Sequence, residues 1–100
     1  MEKIFQDLKT ISLAMFRKNF FGIFHGSIST KLEEWHFLIN KKDAIFDDLT
    51  EDSLIMLYHK QDYRWKEASI DAFIHSLIYQ NIPNAKYIAY GMPPFTVAYT

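Results

Sequence analysis

The sequence predicts a layered α/β or α+β domain with a largely antiparallel central sheet flanked by helices. Two observations carry that reading. Apolar residues recur at helical spacing over Glu2–Lys18 and again within Glu67–Asn81. Short apolar or alternating runs, bounded by polar turns, fill the space between and after these helices. The resulting order of helix, hairpin, strand, helix, strand suits a sheet covered by helices. One hundred residues fit one small domain, taken as 1–100.

The first helix carries Ile4, Leu8, Ile11 and Met15 on one face. Arg17 and Lys18 favour its C-terminal dipole end, and Asn19 suits a left-handed cap. The aromatic run Phe20–Phe24 reads as core packing, since no basic residues interleave with it as a nucleic-acid site would want. Gly26–Leu32 alternates like a strand, Glu33-Glu34 turns it, and Trp35–Ile39 returns as its hairpin partner. Asn40–Asp43 is a polar loop. Thr50 caps a single turn whose Glu51 and Asp52 face its exposed amides. Ile55–Tyr58 is a further strand, and His59–Arg64 a charged connection. In the second helix, Ile70, Phe73, Ile74, Leu77 and Ile78 form an apolar stripe, with Ser69, Asp71, His75 and Ser76 off it. Asn81-Ile82-Pro83 stops that helix. Lys86–Tyr90 reads as a strand closed by Gly91 and Pro93-Pro94, and Phe95–Tyr99 as the start of another helix.

Composition narrows the class. Hydrophobic residues make up 49% and aromatic residues 17%, enough for a packed core. A net charge of −1 with interspersed signs gives no nucleic-acid or acidic-membrane surface. The absence of cysteine excludes disulfides and thiolate chemistry. No apolar run reaches membrane-spanning length, and the charged N-terminus lacks a signal-peptide core. A soluble cytoplasmic protein is expected. The four histidines show no metal-binding spacing such as HxH or HExxH, and there is no phosphate-binding glycine loop or nucleophile elbow.

Five segments, taken in order, carry a resemblance: His25-Gly26-Ser27-Ile28-Ser29 to S-G-N-I-S, Phe37–Asp43 to F-L-I-T-P-[ST]-G, and Asp48–Leu54 to D-L-T-P-E-D-L. Ser69-Ile70-Asp71 with Ile74–Tyr79 and Pro83 is similar to S-S-E, L-H-x-x-I-Y and proline; Ile88–Pro94 is similar to V-V-H-T-H-P-P. In this order they resemble the N-terminal portion of the class II aldolase and adducin N-terminal domain family, whose sugar-phosphate aldolase and epimerase members use a divalent metal. The resemblance implies a fold that continues past Thr100, so the domain is expected to be incomplete at its C-terminus.

The same resemblance places functional positions on this chain. The family's acid/base glutamate falls at Asp71, one methylene shorter; a solvated first-turn acid is the plainer reading. Phosphate contacts fall at Ser27 and Ser69, and at Lys42-Asp43, where a carboxylate replaces the family's glycine. The two metal-binding histidines of H-T-H become Tyr90 and Met92, a neutral phenol and a soft thioether that suit zinc poorly. His75, at a position where the family also has histidine, reads as a core or interface hydrogen-bonding group. The expectation is a class II aldolase-like binding or structural module without aldolase activity and without bound zinc or another cofactor. The alternative is a divergent metal-dependent sugar-phosphate aldolase or epimerase using Asp71. A homo-oligomer or protein partner is expected, with neither nucleic acid nor membrane.

Overall fold

The computed structural model describes residues 2–18, 26–45, 48–91 and 95–99, the last for their backbone. The expected cap at Asn19 and the packing of Phe20–Phe24 lie outside these residues, as do His25, Met92 and Pro93-Pro94. Helix α1 spans Glu2–Arg17 and β1 spans Ser27–Glu33. Strand β2 is His36–Asn40, β3 is Leu54–Tyr58, helix α2 is Ala72–Asn81, β4 is Tyr87–Gly91 and β5 is Phe95–Tyr99. The strands form one five-stranded sheet in the order β3-β2-β1-β4-β5, with every neighbouring pair antiparallel.

Alternation along β1 decides what each face of the sheet meets. Ile28 packs with Leu38, Leu54 and Ala89 against Leu8 and Met15 of α1, so the first helix buries the face that its periodicity predicts. Phe37, Ile39, Leu57 and Ile88 form the opposite apolar layer with Ala68, Ala72, Tyr79 and Ala85. The sheet therefore lies between α1 and α2. Tyr87 donates its hydroxyl to Asp7 Oδ2 at 3.0 Å, tying α1 to β4.

The β1–β2 hairpin, its turn displaced by one residue to Glu34-Trp35, follows the expected course. Glu51–Ser53 is the single capped turn, with Thr50 N–H and Oγ1 both 3.1 Å from Ser53 Oγ. Gly26 enters β1 with φ 115°, a conformation that a Cβ would disfavour.

Four expectations are corrected. Phe95–Tyr99 is a strand paired with β4 rather than a helix start; its aromatic and β-branched residues, Phe95, Thr96, Val97 and Tyr99, suit a pleated surface better than a helical one. Helix α2 begins at Ala72 and not near Glu67. The preceding residues instead extend beside the end of β2: Lys42 N–H donates to Glu67 O, Ser69 N–H donates to Asn40 O, and Ala68 bridges Lys41. Asn40, expected in a loop, is the buried last residue of β2.

The fourth correction concerns the roll of α2. The expected apolar stripe is split: Ile70, just before the helix, is 90% exposed, Phe73 56% and Leu77 43%, whereas Ile74 is half-buried, Ile78 packs against the core, and Ala72, His75, Ser76 and Tyr79 are buried. Each exposed aliphatic or aromatic side chain forgoes about 1.5–3 kcal/mol of burial. The opposite roll would leave Ser27 and Ser29, both fully buried, without the partners described below. A buried polar group without a partner costs about 1–3 kcal/mol. Two apolar layers already cover the sheet, so what the α2 face must supply is hydrogen bonds.

Candidate functional site at the start of helix α2

The sequence-predicted residues Ser27, Ser69 and Asp71 come together where β1 begins and α2 starts. Ser27 and Ser29 share the α2 face of β1 by strand alternation. On α2, Asp71, His75 and Tyr79 recur at i, i+4 and i+8, which aligns them in one row. The two rows interlock. His75 Nε2 lies 2.6 Å from Ser27 Oγ, and His75 Nδ1 lies 2.6 Å from Ser29 Oγ. Ser29 Oγ is 2.7 Å from the Tyr79 hydroxyl. Asp71 stands at the same end of the row as Ser27, whose hydroxyl favours the charged carboxylate.

Ser69 holds the other side of Asp71. Its Oγ accepts the Asp71 backbone N–H at 3.2 Å, and its own N–H donates to Asn40 O at 2.9 Å. Asn40 Oδ1 in turn accepts the Ile28 N–H at 2.9 Å. The turn that launches α2 is thus anchored to β2 and β1 through one buried amide side chain. Ser76, next to His75, takes a hydrogen bond from Gln80 Nε2 at 2.9 Å and lies 2.7 Å from His59 Nδ1. His59 stacks on Phe37 at 5.3 Å between ring centroids.

Burial sets the charge states. Desolvation pushes His75 from 6.5 down to about 3, so its ring is neutral. Desolvation raises Tyr79 further above the ordinary phenol range, the Ser29 hydrogen bond opposing it only in part. Asp71 is half-buried; desolvation raises its carboxyl, and the Ser27 hydroxyl pulls it back. A carboxyl moved up in this way is closer to acid/base duty than an ordinary aspartate.

Tyr90 stands directly across from Ser27 in the β1–β4 register, which puts it on the α2 face beside the site. Among the described residues, no three histidine, cysteine or acidic side chains are grouped closely enough to hold a metal ion. Lys41 and Lys42 lie at the end of β2, where Lys42 N–H bonds Glu67. A separate cleft of about 660 Å³ lies at the far end of β1, lined by Lys31, Glu34, Pro83 and Lys86 among others. It shares no residue with the Asp71 site.

The sequence profile of the class II aldolase and adducin N-terminal domain family matches residues 6–100. The chain belongs to this family. Solved structures similar to it are described as L-fuculose-1-phosphate aldolases, proposed aldolase/epimerase/decarboxylases and an aldolase II superfamily protein. An L-fuculose-1-phosphate aldolase from Thermus thermophilus superposes with a TM-score of 0.82 at 17% identity, over 93% of this chain and 46% of that one. An L-fuculose 1-phosphate aldolase from Glaciozyma antarctica gives 0.68 at 17% identity, over 85% of this chain and 38% of its own. An aldolase II superfamily protein from Pseudomonas syringae gives 0.63 at 18% identity, over 93% and 37%. At such identities the likeness establishes the class II aldolase fold. The chain spans less than half the length of these structures. No curated protein matches it in sequence.

Ser29, Tyr79 and Asn40 were not among the sequence-predicted site residues. The signals for the first two were present as the Ser-x-Ser alternation of β1 and the four-residue repeat of Asp71, His75 and Tyr79. No helix among the described residues is long and apolar enough to cross a membrane.

Proposed function

We propose that this chain is a class II aldolase-like module that binds or scaffolds and has lost metal-dependent aldol cleavage. One observation carries the reading: the two serines assigned to phosphate binding are already engaged within the protein. Ser27 Oγ lies 2.6 Å from His75 Nε2, and Ser69 Oγ accepts the Asp71 backbone N–H at 3.2 Å. The donor set also fits zinc poorly. The position of one family histidine is Tyr90, a neutral phenol next to Ser27, and that of the other is Met92, whose thioether prefers softer metals. No step through a metal is therefore derived. The outward stripe of Ile70, Phe73 and Leu77 suits a protein that works by docking, to a further copy or to another polypeptide. Metal analysis of purified protein, together with an assay for cleavage of phosphorylated sugars, tests the proposal. Substoichiometric zinc and no turnover are expected; near-stoichiometric zinc with measurable cleavage refutes it.

A second reading rests on Asp71 itself. Its carboxyl is raised by desolvation at a helix start, the setting of a general acid/base in a divergent lyase or epimerase. If turnover is found, Asp71→Asn must abolish it; unchanged turnover removes Asp71 from that role.

A further inference from the structure

Among the described residues the sheet ends on β3, whose sequence Leu54-Ile55-Met56-Leu57-Tyr58 holds no charge, proline or glycine. Such a strand offers its outer backbone groups to any chain that can pair with them. The register with β2 decides which groups those are. Lys41 N–H donates to Ser53 O and His59 N–H to Trp35 O, and the β2 partners of residues 54–58 continue that register. Antiparallel pairs alternate between bonded and non-bonded. Ile55 and Leu57 therefore bond inward to β2, while Leu54, Met56 and Tyr58 turn their N–H and C=O groups away. Two of these outward groups are already taken. Leu54 N–H donates to Glu51 O, and Tyr58 O accepts Trp65 Nε1–H at 3.0 Å. Leu54 O, Met56 N–H, Met56 O and Tyr58 N–H have no hydrogen-bond partner among the described residues.

We infer that this edge docks a second copy of the chain, the two β3 strands running antiparallel about a twofold axis at Met56. The free and taken groups are self-complementary in that register. Each Met56 N–H donates to Met56 O of the other copy, and each Tyr58 N–H to Leu54 O of the other copy. The bond left unmade, from Leu54 N–H to Tyr58 O, joins the two groups that are satisfied within the chain. Sliding the second copy by two residues either way sets Met56 against Leu54 or Tyr58, and a taken group then blocks one bond of each pair. Register is thereby fixed by the backbone itself.

Charge follows the same symmetry. Glu51 and Asp52 precede β3 and Lys60 follows it, all three exposed. Continued past the strand ends, the twofold register places Asp52 opposite Lys60 of the second copy, acid against base. Within one chain these two residues lie at opposite ends of the strand, more than about 20 Å apart at the usual strand rise, too far to pair. The edge shares no residue with the outward side of α2 or with the Asp71 site, and pairing there is independent of any cleavage activity.

Sedimentation at several protein concentrations tests the pairing, and wild type is expected to dimerise. Met56→Pro leaves the bonds to β2 in place, because Met56 N–H does not enter them, and removes one donor from each copy. Its dimer dissociation constant is expected to rise at least about tenfold. Asp52→Lys and Lys60→Asp should each weaken the dimer, more so at low salt, and the double reversal should restore it. Amide exchange reads the register without substitution: Met56 and Tyr58 N–H are expected to slow as concentration rises, and Leu54 N–H is not. A monomer at every concentration, a dimer unmoved by Met56→Pro, reversals without rescue, or exchange at Met56 that ignores concentration overturns the proposal. Should Met56→Pro not fold, the charge reversals and the exchange pattern decide.

Discussion

Replacing Ser29 by alanine removes one hydroxyl that two buried groups share. His75 Nδ1 and the Tyr79 hydroxyl both lie within 2.7 Å of Ser29 Oγ, and both residues are almost fully buried. Each would be left without a partner, at about 1–3 kcal/mol apiece. Ser29→Ala is therefore expected to lower the unfolding free energy by about 2–5 kcal/mol, a large share of the roughly 5–15 kcal/mol typical of a domain. Tyr79→Phe leaves Ser29 bonded to His75 and is expected to cost only about 1 kcal/mol. In the double variant the Tyr79 hydroxyl is no longer stranded, so the two losses combine to less than their sum. Urea titration reads all three: with a slope near 1–3 kcal/mol/M, the Ser29→Ala midpoint falls by about 0.7–5 M at unchanged slope. A Ser29→Ala protein within about 0.5 kcal/mol of wild type, the range of ordinary surface changes, refutes the buried chain.

Other substitutions and pH test different parts of the structure. Phe73→Lys combined with Leu77→Lys is expected to change chemical stability by no more than about 0.5 kcal/mol per site while reducing self-association in analytical ultracentrifugation; Leu8→Ala, in the α1 core, is expected to cost about 2–5 kcal/mol. Because burial lowers His75 from 6.5 to about 3, the unfolded chain takes up a proton across that interval and the native one does not. Stability from this group is thus complete above 6.5 and is lost as pH falls toward 3, at up to about 1.4 kcal/mol per pH unit. His75→Gln should flatten that slope in urea titrations at several pH values. Asp71 acts with the opposite sign: its raised carboxyl favours the native state below the unfolded value of 3.8 and loses that contribution as pH rises through its folded value, so Asp71→Asn is expected to stabilise the protein at neutral pH and not in acid.

Much of the scaffold was legible because periodicity and packing agreed. The row Ile4, Leu8, Ile11 and Met15 named the buried face of α1, and alternation through Ser27–Leu32 named β1 and its two faces. Helix α2 shows where that agreement ends. Its sequence carries two competing rows, Ile70-Phe73-Leu77 and Asp71-His75-Tyr79, and hydrophobicity alone selects the wrong one. The polar row is buried because Ser27 and Ser29, 48 and 46 positions from His75 in the chain, occupy the facing surface, and local periodicity cannot see them. Strand β5 was missed for a related reason: five residues are too short for their period to distinguish a strand from the first turn of a helix, and pairing with β4 decides. Of the site, Ser27, Ser69 and Asp71 were found through motif resemblance. Ser29 and Tyr79 needed the two rows to be set against each other.

The measurement that bears most directly on the central claim is the zinc content and affinity of the purified protein, taken together with its cleavage of a phosphorylated sugar. With Tyr90 and Met92 at the positions of the family's histidines and Ser27 engaged by His75, the expected result is zinc well below one equivalent, no saturable titration and no cleavage. One tightly held zinc per chain with turnover that Asp71→Asn abolishes would contradict it.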